Sequence, residues 1–76
     1  MELHEAVAAR IDELKGDITI NKLASLSKIR QSSINNIYDG SSKNPGIVTI
    51  SKICKGLNIS LRHFFDAPIF DSFDIL

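Results

Sequence analysis

TINKLASLSKIRQSSINNIYDG, residues 19–40, contains two short apolar periods separated by three residues. Thr19 can cap a helix by accepting a backbone N–H through its hydroxyl. The helix predicted from Ile20 to Ser27 buries Leu23 and Ala24, with help from Ile20 or Leu26. Lys28-Ile29-Arg30 has room only for a tight turn if a further helix begins near Gln31. Ile34 and Ile37, three residues apart, give that helix an apolar edge, and Asp39-Gly40 ends it.

Upstream, Leu3, Val7, Ile11 and Leu14 recur at spacings of four, four and three, a single helical stripe, so a first helix is predicted from about Leu3 to Lys15. Gly16 can cap it in the left-handed conformation. Downstream, Ser41 to Gly46 are all turn-prone or flexible and read as a loop. Thr49 is the predicted cap of a fourth helix with Ile50, Ile53, Cys54 and Leu57 on one face, closed by a left-handed Asn58. Ser60 can cap a short fifth helix from Leu61 to about Asp66 that carries Phe64 and Phe65 inward, and Pro68 stops it. The expectation is an all-α protein of five short helices, with a domain over residues 1–66 and a tail over 67–76. Only Ile69 to Phe73 hint at a strand, on an edge or against a partner.

A chain of 76 residues makes one domain and buries only about 60% of its unfolded surface. At 43% apolar and 24% charged residues, it has the composition of a globular protein rather than a disordered one. The single Cys54 has no disulfide partner and no Cys or His at metal-ligand spacing, so neither a disulfide framework nor a zinc site is expected around it. The N-terminus is acidic where a signal peptide is basic, and no apolar run approaches the ~20 residues that cross a bilayer. A cytoplasmic protein without membrane contact is expected. Formal charge is zero but unevenly spread: residues 18–63 carry seven cations against the single acid Asp39, whereas residues 1–17 and 64–76 each have a net charge of −3.

Two helices joined by so tight a turn can present the N-terminal half of the second to a major groove while the first crosses the backbone. Residues 18–65 resemble the Cro/C1-type, phage repressor-like helix-turn-helix family. The resemblance rests on Leu23-Ala24, on Gln31-Ser32-Ser33-Ile34, on Ile37, Gly40 and Pro45, on Thr49-Ile50 with Ile53, and on the run Gly56 to Leu61. It implies a compact five-helix, lambda-repressor-like domain, with Ala24 at a close crossing of the two helices and Ile29, Ile34 and Ile37 wedging them. It also implies a regulator, acting as a repressor, that binds double-stranded DNA with the exposed face of the third helix. By match to the family pattern, Gln31, Ser32 and Asn36 contact bases, and Asn35 joins them from the same exposed face; Gln and Asn can pair bidentately with adenine. Thr19, Asn21, Arg30, Ser33, Lys43 and Asn44 would hold phosphates. The chain departs from the pattern at Ile20, where the family usually has a phosphate-holding Gln, and at Lys28, where it usually has Gly. Arg30 stands where Ser, Thr or Asp would cap a helix, and Lys22 and Arg62 fall in first turns, where the helix dipole favours acids.

The residues from Asp66 onward are acidic and apolar together, and Ile69, Phe70 and Phe73 need cover. They pack either on the domain's own core or in a homodimer seam, which would fit a pseudo-palindromic operator. The alternative function is a protein-interaction module, antitoxin-like or anti-repressor, acting through the tail. His4 and His63 have no evident nucleophile or acid beside them and no Gly-rich phosphate loop is present, so no enzyme, cofactor, metal or small-molecule substrate is expected. Cys54 reads as core.

Overall fold

The computed structural model describes residues 1–71. Five helices occur in chain order: α1 (Leu3–Lys15), α2 (Ile20–Ser27), α3 (Gln31–Asp39), α4 (Ile47–Leu57) and α5 (Leu61–Phe65), followed by a 3₁₀ turn at Pro68–Asp71. One face of each helix is apolar at helical spacing, and these faces meet in one core. Val7 and Ile11 of α1, Leu23 and Ala24 of α2, Ile34 and Ile37 of α3, Ile50, Ile53 and Cys54 of α4, and Phe64 of α5 are buried together. Burial also pushes the Cys54 thiol up from its ordinary pKa, which makes it a small apolar filler rather than a reactive group.

The caps are local. Thr19 Oγ1 accepts the Lys22 N–H at 3.0 Å and opens α2. Lys28 closes α2 in the left-handed conformation (φ 57°), and Ile29 N–H donates to the Ala24 carbonyl at 3.1 Å. This is the position at which the family pattern has Gly, and a Cβ there strains the backbone. Ile20, half-buried, supports Leu23 and Ala24, whereas Leu26 is 43% exposed. α2 also packs tightly on α4: a Cβ at Gly56 would come 2.4 Å from Ser27 Oγ and 3.0 Å from Ser27 N.

Four expectations change. Gly16 ends α1 at φ 55° but ψ −122°, outside the left-handed helical region, a combination open to glycine because it has no Cβ. Thr49 does not cap α4; the helix starts at Ile47 with Gly46 as N-cap. Pro45 is buried and Gly46 is extended, so the chain is already aimed into the helix axis three residues early and needs no hydroxyl. Phe65 does not point inward with Phe64. Neighbours on a helix diverge by about 100°, and Phe65 is 37% exposed while Phe64 is fully covered. The start of the tail forms a 3₁₀ turn rather than a strand because Pro68 presets a helical φ; Phe73 and the rest of the predicted strand lie outside the described residues.

The tail's first residues pack on their own chain. Phe70 packs, with tilted rings, against Phe65 at 4.9 Å and Phe64 at 5.9 Å between ring centroids. Arg10 of α1 donates to the carbonyls of Phe64 (2.8 Å) and His63 (2.7 Å), so a cation from another helix satisfies the C-terminal carbonyls of α5. No helix among the described residues is long and apolar enough to cross a membrane.

Candidate nucleic-acid interface

On α3 the positions between the buried Ile34 and Ile37 belong to the opposite face. Gln31 and Asn35 form one i,i+4 row and Ser32 and Asn36 the next, and all four are exposed. The face therefore carries short uncharged donors and acceptors on a helix whose back is locked into the core. Ser33, at the edge of the face, is half-buried. It lines a cleft of about 150 Å³ with Asn36, Ser42, Gly46 and Thr49, between α3 and the loop that follows it.

Backbone contacts hold that loop against the helix. Ser42 N–H donates to the Asn36 carbonyl at 2.9 Å, and Ser41 N–H donates to Asp39 Oδ1 at 2.8 Å. The Ser41 amide holds the Asp39 carboxyl below its ordinary pKa. Lys43 and Asn44 are exposed at the tip. Gly40 ends α3 at φ 84°, and its α-carbon faces the ring of His4.

The helix N-termini supply N–H groups. Thr19 and Asn21 are exposed at the start of α2; the Thr19 hydroxyl, used as an acceptor by Lys22 N–H, still has its own proton to donate. Arg30 is the N-cap of α3, exposed, and makes no side-chain cap hydrogen bond. Ser33 N–H donates to the Arg30 carbonyl at 3.0 Å, while the Gln31 and Ser32 amides have no side-chain acceptor and lie beside a guanidinium, and this combination suits an anion. Ile20 is turned toward the core, so no side chain holds a phosphate at that position.

Sequence reasoning missed three positioning groups. His4 is buried, 8% exposed, and its Nδ1 lies 3.1 Å from the Ile37 carbonyl; Glu2 and Glu5 stand beside it, so an acid does neighbour this histidine. Its spacing of three and seven to Val7 and Ile11 was the available signal. Arg10 was unreadable because its acceptors lie more than fifty residues away. Tyr38 donates to Asp12 Oδ1 at 2.6 Å and joins α3 to α1.

Comparisons with known proteins bear on the family and the fold. The profile of the Cro/C1-type HTH DNA-binding domain matches residues 14–67. Among solved structures, the chain is similar to the one described as "Crystal structure of the prophage Lp1 protein 11", at 41% identity and a TM-score of 0.80, covering 90% of this chain and 93% of that one. No curated protein matches.

Proposed function

Since the chain belongs to the Cro/C1-type helix-turn-helix DNA-binding family, as a DNA-binding transcription regulator, we propose that it acts as a homodimeric repressor whose α3 reads the major groove of a pseudo-palindromic operator. The observation that carries this reading is the exposed row pair Gln31, Ser32, Asn35 and Asn36, backed by the buried Ile34 and Ile37. A polar face fixed by its own core can meet base edges without reorganising. Thr19, Asn21, Arg30, Ser33, Lys43 and Asn44 surround it as phosphate contacts, and the local excess of cations outweighs the chain's overall neutrality.

We assign the dimer seam to the tail and α5. Leu61 and Phe65 are exposed there, Ile69 and Phe70 are half-buried, and a second copy would cover them; Phe73 belongs to the same proposed seam. Residues 1–66 then act as the reading unit and 67–76 as the seam. Repression follows from occupancy of the operator in the cytoplasm, with no catalysis, cofactor or small-molecule substrate.

Selection from a random duplex pool tests the proposal. A recovered pseudo-palindrome with half-sites about 10–10.5 base pairs apart, or a multiple of that, is expected. A folded protein that enriches no sequence would overturn it and favour the second reading, a protein-interaction module, which the missing phosphate ligand at Ile20 supports.

A further inference from the structure

The first turn of α1 assembles three groups that DNA binding does not use. Glu2, His4 and Glu5 place one ligand atom each within 4.8 Å of one another, and His4 Nε2 lies 3.6 Å from Glu2 Oε2. Each group is already oriented through another atom. The Glu2 carboxylate accepts the Glu5 backbone N–H, and Glu5 Oε1 accepts the Glu2 N–H at 2.7 Å, a reciprocal capping box. His4 is held through Nδ1 by the Ile37 carbonyl. A carbonyl can only accept, so Nδ1 carries a ring proton, and Nε2 is the nitrogen that faces the two carboxylates.

Two carboxylates beside a largely buried ring call for positive charge among them, which a proton on Nε2 or a bound metal cation supplies. An imidazole fixed by a backbone carbonyl on one nitrogen and open on the other is also how metal-ligating histidines are held. We infer that Glu2, His4 and Glu5 form a site for a divalent cation of the zinc class, with water completing the coordination. One imidazole and two carboxylates match the nitrogen and oxygen preference of that class. Donors around an ion with bonds of about 2.1 Å stand about 3.4 Å apart in a tetrahedron, so from separations of up to 4.8 Å the exposed glutamate side chains have to close by up to about 1.4 Å. Because the same imidazole donates to Ile37 and lies against Gly40, the ion ties the start of α1 to the C-terminal end of α3.

The test is calorimetric titration of the chelator-treated full chain with zinc chloride, alongside the Glu2→Gln/Glu5→Gln double variant. The glutamine side-chain oxygens retain the capping acceptors but lose the ligand charge. One zinc per chain is expected, with affinity at least tenfold lower in the double variant and a rise in Tm on the order of 5 °C for the wild type at saturation. Proton NMR of the wild type reads the site without any variant: His4 ring resonances should shift on zinc addition, while those of His63, the other histidine and exposed on α5, should not. Lack of zinc uptake, equal uptake by the double variant, or a His4 ring indifferent to zinc would overturn the site and leave His4 as a proton-bearing partner of Glu2.

Discussion

Tyr38 is the chain's only tyrosine, so its ionisation can be followed alone. Burial, and then the hydrogen bond and charge of Asp12, push its pKa well above the ordinary phenol value of 10.0. A group whose pKa is raised by folding contributes its stability in full below the unfolded value and loses it as pH rises from there toward the folded value. Stability should therefore fall from about pH 10 upward, with the phenolate band appearing only on unfolding. Tyr38→Phe should remove that part of the pH dependence; phenolate absorbance that titrates at pH 10 in the folded chain would contradict the contact. Lys28 is a second case of one residue against its surroundings. Held at φ 57°, it should give way favourably to Gly: Lys28→Gly is expected to gain about 0.5–1 kcal/mol in thermal or urea unfolding. The residue itself was legible as a departure from the family pattern; its strain was not, because a backbone angle is set by how α2 and α3 meet.

Among the elements, the α2–α4 contact depends most on having no side chain at one position. A Cβ at Gly56 would press on Ser27 Oγ and on the α2 backbone. Gly56→Ala should cost about 1–3 kcal/mol through overpacking. Ser27 Oγ is buried without a hydrogen-bond partner among the described residues, so Ser27→Ala alone should be neutral or stabilising and should partly rescue Gly56→Ala in a double-mutant cycle. Simple additivity would show that the two helices do not meet there. Elements were the most legible level of this chain. Thr19, Ser60 and Asn58 announced their helix ends because capping is a local bond, and the stripes of α1, α3 and α4 announced the core. Thr49 misled because a buried Pro45 and an extended Gly46 start α4 earlier, and tertiary packing of a proline leaves no local mark. Phe65 misled because a five-residue helix has too little length to show which of two adjacent rings turns inward. Arg10 could not be paired with the end of α5, since nothing at the position of an arginine names carbonyls so distant in the chain.

At the scale of the whole molecule, neutrality conceals a division of labour. Cations cluster in residues 18–63, which include the face proposed for DNA, and acids gather at the two ends. If a dimer neutralises about 8 phosphates, the logarithm of its affinity should fall with the logarithm of salt concentration at a slope near −7. A slope near zero would remove the electrostatic part of the proposal. Sedimentation of the Phe65→Asp variant should give a monomer if the exposed ring belongs to the seam, and an unchanged dimer would move the seam elsewhere. The central claim is that α3 reads bases with Gln31, and the most direct measurement is the affinity of the wild type and of Gln31→Ala for the selected operator and for operators changed one base pair at a time. The account expects Gln31→Ala to remain folded, to lose about 1–3 kcal/mol on the operator, and to become indifferent to one base pair in each half-site. An undiminished affinity, or a uniform loss with every base preference intact, would contradict it.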